Sequence, residues 1–313
     1  MFGERGFNPF ARKVEKKEVS SVGETRRHLE LEASALPPIA SQSFKRIIPL
    51  LAPEEGQFSV LKTSPEHLST ACYCAVTDPV LDRQEISDDE VDHYYEACVK
   101  LCHEDDCRTR ATNDSRWLYV DHFSGQSDNA ISGKIYLNLD ITKIPEALPK
   151  LLGLAKVVPH LSFKTLFDWN NPPRIKDLMY YQSGRRDKVP IYVDDRKSLP
   201  ALFDYLQEFQ SKHPEYFHNN IPLFSSGVQR NGKLIPSVGF SMTDNSNLAD
   251  RTVLETIKGI DFESSGIPAN FPLKDRYLAS CEKYQLDSAM PAIRKETLEQ
   301  DPELGEILTT GEY

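Results

Sequence analysis

The sequence predicts an α+β fold, a mixed twisted sheet flanked by helices. Three observations lead there. Several short runs alternate strictly between apolar and polar residues, the mark of a half-buried strand. Segments with apolar residues at helical spacing separate those runs. Between two further apolar runs sits Asn231-Gly232, a pair suited to the left-handed backbone of a type I′ hairpin turn.

Taken in order, the apolar stretch from Phe44 to Leu51 reads as a buried connection or a single turn, because Pro49 and Pro53 work against a helix. A helix is expected from His67 to Val76, opened by Ser64-Pro65-Glu66. A stronger one runs from Ser87 to His103. Ser87 is placed to cap it, Asp88, Asp89 and Glu90 suit its first turn, and Val91, Tyr94, Tyr95, Cys98, Leu101 and Cys102 recur at helical spacing. Strands follow at Arg116 to His122 and at Lys134 to Leu139, where Ile135, Leu137 and Leu139 alternate with Lys134, Tyr136 and Asn138. Ile144 to Val157 reads as a helix with Pro145 in its first turn, Leu161 to Phe167 as the next strand, and Val189 to Val193 as another. A helix between two strands suggests a parallel crossover, and the hairpin over Val228 to Ile235 is antiparallel, so the sheet is expected to be mixed. Helices over Ser198 to Lys212, capped by Ser198, and over Asn247 to Lys258 complete the pattern.

This pattern divides the chain into four parts. Residues 1–43 are charged and Pro-containing and read as a disordered N-terminal arm. Residues 44–112 form a helical region packed on the main domain, 113–293 the main α+β domain, and 294–313 an acidic tail. The composition narrows the function. The apolar fraction of 39% supports a folded core. The net charge of −10 speaks against a nucleic-acid partner, which needs a basic surface. No apolar run reaches the ~20 residues that span a bilayer, so no membrane partner is expected. Met1 to Lys17 lacks the apolar stretch of a Sec-type signal. The expected location is therefore the cytoplasm, or a host cell reached by a system such as type III secretion.

The common chemical signatures are missing: no Walker loop, no Gly-rich dinucleotide turn and no His-Glu-x-x-His. Ser225-Ser226-Gly227 lacks the glycine that would precede the serine in a nucleophile elbow. Cys72-x-Cys74 and the group Cys98, Cys102, His103 and Cys107 suggest zinc ligands at first sight. Cys72 and Cys74 are too close for a usual ligand pair, and Cys98 and Cys102 are wanted for a helix core. No metal or other cofactor is expected.

What stands out is the placement of cations. Lys134 and Lys164 both sit within apolar strand patterns, and Arg185-Arg186 shortly precedes a strand. Lys134 and Tyr136 share a strand face. A lysine desolvated there beside other cations loses basicity and becomes a usable base, whereas the same lysine on a half-exposed sheet simply points to water.

These residues carry a resemblance. Gly133-Lys134-Ile135-Tyr136, Ser162-Phe163-Lys164-Thr165, Arg185-Arg186-Asp187 and Pro190-Ile191-Tyr192-Val193 stand in the order seen in the bacterial phosphothreonine lyases of the OspF/SpvC type. The stretch from Gly133 to Val193 resembles still more closely the HopA-type effectors and their lyase-like relatives in class V lanthipeptide and thioamitide biosynthesis, with a looser likeness to Gly259. The resemblance implies a phosphothreonine-lyase-like fold and β-elimination of phosphate from phosphothreonine or phosphoserine in a peptide or protein. It implies Lys164 as base, Lys134 and Tyr136 as further catalytic groups, and Arg185 or Arg186 with Tyr192 at the phosphate. The same resemblance makes phosphopeptide binding, virulence and lanthipeptide biosynthesis the contexts in view. The implied partners are a phosphorylated peptide or protein, with a secretion chaperone or a partner kinase.

Two departures bear on activity. The lyases carry His where this chain has Tyr136, and tyrosine, ordinarily with a pKa near ~10, is a weaker acid at neutral pH. The family's Ser-Phe-Gly followed by arginine is here Ser237-Val238-Gly239 with no arginine before Arg251, which leaves Arg230 on the hairpin as the substitute phosphate ligand. The alternative is a non-catalytic effector that uses the same fold to bind a host protein, since fold alone does not fix function.

Overall fold

The computed structural model describes residues 26–51, 83–103, 107–111, 117–122, 133–158, 161–168, 171–242 and 272–309. The helices expected at 67–76 and 247–258, the Cys72-Cys74 pair and Arg251 lie outside them.

The α+β class holds. Among the described residues, eight strands form one sheet: β1 (Cys107–Ala111), β2 (Trp117–His122), β3 (Gly133–Leu137), β4 (Leu161–Leu166), β5 (Val189–Val193), β6 (Ser226–Arg230), β7 (Lys233–Ser241) and β8 (Leu308–Thr309). Their order is β1-β2-β4-β5-β3-β7-β6-β8. The expected mixed pairing does not hold, because every pairing between these strands is antiparallel. β3 and β4 do run in the same direction on either side of the helix Ile144–Val157, as a crossover requires. β5 has inserted between them, antiparallel to both.

Alternation sorts the sheet into two unlike faces. Leu118, Val120, Ile135, Leu137, Phe163, Ile191, Val238 and Phe240 point to one side and are buried there. Helices cover that side. The helix Asp88–Cys102 is closed at its start by a reciprocal Ser87–Glu90 capping box, which contributes about 1 kcal/mol, and its buried Tyr94 hydroxyl reaches Thr165 Oγ1 at 2.8 Å and the Leu166 carbonyl at 2.7 Å. The helix Leu199–Lys212 brings Phe203 edge-on to Phe240. It starts behind a 3₁₀ turn whose cap is Asp195, accepting from the Lys197 amide, and Ser198 makes no capping bond.

On the same side a Cβ built at Gly133 would lie 2.7 Å from the Phe240 ring, so only glycine fits. Gly133→Ala is expected to cost about 1–3 kcal/mol through overpacking, read as a lower denaturant midpoint at unchanged slope.

The terminal segments belong to the fold more than their composition suggests. The expected arm does not extend over residues 26–43: residues 26–33 are helical, and Leu29, Ala33, Leu36 and Ala40 join the core. Pro38–Leu51 is one continuous helix despite Pro49, with Phe44, Ile47 and Ile48 fully buried. Phe44 packs edge-on against both Phe224 and Tyr277, the latter on the helix Leu273–Lys283. A buried amphipathic stripe outweighs the proline's lost hydrogen bond in the last turn of a helix. The boundary set at 112 also moves, since β1 pairs in full with β2. Nor is 294–313 a free tail. Two short helices, Lys295–Gln300 and Pro302–Ile307, lead into β8, which pairs with β6, and Leu304, Ile307 and Leu308 are buried.

Candidate active site

The second face of the sheet is polar, and its register brings the predicted cations together. Tyr192 pairs with Lys134 on one side and Ser162 on the other, while Lys134 also pairs with Ser241. One step along lie Pro190, Tyr136 and Gly239, in line with Lys164 and Tyr119. Lys134, Tyr136, Lys164 and Tyr192 therefore occupy one patch over three neighbouring strands, β3, β5 and β4. The loop at 221–225 closes the patch beyond β7: a Cβ at Gly239 would meet Ile221 at 3.2 Å and Ser225 at 3.3 Å.

Lys164 is the most constrained of these groups. Its ammonium lies 4.3 Å from the centre of the Trp117 ring, 5.5 Å from Tyr119 and 5.8 Å from Tyr192. Burial among these rings, with Lys134 and Arg185 nearby, pulls its pKa down to about 8, against the opposing pull of Asp187. An amine with that pKa is partly neutral at physiological pH and can accept a proton. Lys134 stays half-exposed, 4.7 Å from the Tyr136 ring and 5.8 Å from that of Tyr192. Tyr136 is buried, with its hydroxyl 3.0 Å from Ser241 Oγ.

The two arginines part company. Arg185 is held by the buried Asp187 carboxylate through a fork, Nε to Oδ1 and Nη2 to Oδ2, both 2.9 Å, and its guanidinium lies 6.0 Å from the Trp117 ring. It faces Lys164. Arg186 turns instead toward the 218–222 loop, where Nη1 reaches the Ile221 carbonyl at 3.4 Å. Arg185, not Arg186, is thus the arginine beside the lysines. Arg230 is not at the patch at all. Its guanidinium forks onto Asp204 of the helix Leu199–Lys212 at 2.7 and 2.9 Å, and that helix covers the apolar face. The strong hairpin turn at Asn231-Gly232, with φ of 53° and 70°, carries Arg230 away with it.

The chain shares its fold with effector proteins of Pseudomonas syringae. The effector from P. syringae pv. syringae strain 61 superposes with a TM-score of 0.54 at 14% identity, covering 72% of this chain and 89% of that one. The effector from P. syringae pv. tomato strain DC3000 gives 0.55 at 11% identity, covering 81% and 97%. The type III effector and phosphothreonine lyase OspF from Shigella flexneri aligns more distantly, at a TM-score of 0.33 and 15% identity over 60% of this chain and 94% of that one. No family model and no curated protein sequence matches the chain.

Residues that sequence reasoning passed over complete the patch. Trp117 and Tyr119 were legible as a strand, and their alternation with the buried Leu118 and Val120 marks them as the pair facing Lys164. Asp187 stood within the arginine motif without a role, and only its fork to Arg185 reveals one. Ser241 had no signal, since its position depends on the pairing of β7 with β3. The cysteines of the helix Asp88–Cys102 are core residues. Cys98 is fully buried, burial holds its thiol well above the ordinary range, and Cys102 donates to the Cys98 carbonyl. Among the described residues no group of three or more His, Cys, Asp or Glu is arranged for a metal, and no helix is long and apolar enough to cross a membrane.

Proposed function

We propose that the protein eliminates phosphate from phosphothreonine or phosphoserine in a peptide or protein, leaving a dehydro residue. The observation that carries this reading is Lys164: a lysine brought down to about 8 on a sheet face that also presents Lys134 and Arg185. The neutral Lys164 amine takes the α proton of the substrate residue. The electron pair of that C–H bond becomes the Cα=Cβ double bond, the Cβ–O bond breaks, and its electrons leave with phosphate. Lys134 and Arg185 balance the phosphate and the negative charge that builds on the neighbouring carbonyl. Tyr192 helps position the phosphate. The Tyr136 hydroxyl, held against Ser241, returns a proton to the bridging oxygen.

The reaction consumes no water and calls for no cofactor. Incubation with phosphothreonine peptides, read by mass, tests it: elimination removes phosphoric acid and leaves a dehydrated residue, whereas a phosphatase restores the hydroxyl. Tyr136→Phe keeps the packing of the ring and is expected to slow turnover roughly a hundredfold, the low end of general acid catalysis. An unchanged turnover would transfer the acid role to Lys134. Delivery into a host cell as an effector belongs to the same proposal, and the fold shared with the P. syringae effectors supports it. Binding of phosphopeptides without any mass loss would favour the non-catalytic effector instead.

A further inference from the structure

The loop that closes the polar face beyond β7 holds an unfavourable backbone. Phe224 has a φ of 62°, in the left-handed region that a bulky side chain rarely enters. The other non-glycine residues there, among the described residues, are Asn231, Ser237 and Gln285, all of them polar. A strained conformation persists only where its surroundings impose it, and such residues cluster at functional sites.

The surroundings of Phe224 come from the helix Pro38–Leu51. The Phe224 amide donates to Ser43 Oγ at 2.9 Å, and its ring stands edge-on to Phe44 with the centroids 5.2 Å apart. Ser43, Phe44 and Phe224 are all buried. The crevice between loop and helix measures about 20 Å³, room for one water, so the helix itself and not a ligand supports the loop. Ser43 closes the stretch whose composition reads as an arm.

The neighbours of Phe224 in the loop face the other way. Ile221 and Ser225 close on Gly239, where a Cβ would lie 3.2 and 3.3 Å from them, and Gly239 is the partner of Tyr136 in the β3–β7 pairing. The Ser225 amide donates back to the Pro222 carbonyl at 3.2 Å, which makes a tight turn of the segment between them. The start of the loop is tied toward the sheet, the Asn220 carbonyl accepting from Asn138 Nδ2 at 2.8 Å and the Ile221 carbonyl from Arg186 Nη1. Its far end depends on the helix. Released from Ser43 and Phe44, Phe224 would relax out of the left-handed region, and Ile221 and Ser225 would turn off Gly239 with it.

We propose that Ser43 and Phe44 are positioning residues of the active site: they hold the 221–225 loop over Gly239, where it forms the wall that seats the substrate peptide beside Tyr136. This rests on the reading of the polar face as a phosphopeptide site. Neither residue lies on the sheet, and their effect passes through Phe224. Lys164 and the Arg185–Asp187 fork are held by other elements, so a loosened loop weakens the grip on the peptide and spares the chemical step.

Ser43→Ala removes the acceptor of the Phe224 amide and leaves both rings in place. It is expected to speed hydrogen exchange at the Phe224 amide roughly tenfold beyond any change at the β5 amides. It is also expected to raise KM for a phosphothreonine peptide roughly tenfold, with kcat within about twofold. Phe44→Leu is expected to move KM in the same direction. Leu206→Val, on the buried face of the helix Leu199–Lys212, loosens the core elsewhere and should leave KM as it is. Exchange at Phe224 that stays slow in Ser43→Ala overturns the proposal. So does fast exchange with an unchanged KM, or a KM that Leu206→Val raises equally. The exchange measurement needs no substrate. A wild-type protein that binds phosphopeptides without mass loss refutes elimination separately, and the peptide's dissociation constant then takes the place of KM.

Discussion

Lys164→Ala is expected to lower the rate of phosphate elimination on the order of 10²–10⁴-fold, the range of a positioned base, while phosphopeptide binding persists. The separation of the two effects follows from the site. Lys134 and Arg185, which bind phosphate in the proposed mechanism, reach the patch from β3 and from the connection before β5, and neither depends on the Lys164 side chain for its anchor. The base is held by rings instead: Trp117, Tyr119 and Tyr192 surround its ammonium. Truncating it leaves those rings and the phosphate cations standing. The loss should therefore appear in kcat, with the dissociation constant of a phosphopeptide changing little. A loss of binding as large as the loss of rate would make Lys164 a phosphate ligand and remove the base from the mechanism. Lys164→Arg should fail like Lys164→Ala, because a guanidinium does not give up its proton at neutral pH.

The patch was legible in the sequence where strand parity alone decides it. Lys134 and Tyr136 share a face because they are two apart, and Tyr192 joins them through an antiparallel pairing that keeps parity. Lys164 joins because β4 lies on the other side of β5, which no local pattern reveals. The arginines were harder. Adjacent in sequence, Arg185 and Arg186 point apart, and the choice between them rests on Asp187 and on the carbonyl of Ile221, which lies far along the chain. Arg230 misled because its hairpin was read correctly but its helix partner, Asp204, was not foreseen. The terminal segments misled for a different reason. Their polar composition hides a few apolar residues, among them Leu29, Ala33 and Leu304, whose burial depends on tertiary partners.

Neutralising the two charges that flank Lys164 should move its titration in opposite directions, and Lys134→Met carries the larger loss of rate. Lys164 acts as a base only when neutral, so the rate should rise with pH through about 8 and level off above it. Lys134 disfavours the charged form of Lys164, and Asp187 favours it. Lys134→Met therefore moves the rising limb to higher pH. It also takes away a cation that faces the departing phosphate, at a cost of roughly 10²–10³-fold in kcat, as for the loss of one positioned electrostatic donor. Asp187→Asn moves the limb to lower pH, and its separate cost falls on KM, because the fork that aims Arg185 is gone. A purely structural role for either residue would lower activity without displacing the limb. Among the described residues, the groups that face Lys164 from the surrounding elements are Trp117, Tyr119, Tyr192, Lys134, Arg185 and Asp187, so of these charges the two substitutions leave Arg185 beside it. In the variant with both changes the displacements should largely cancel, returning the limb toward about 8 while the rate stays low. Limbs that move together in the single variants would show that Lys164 is not the group being titrated.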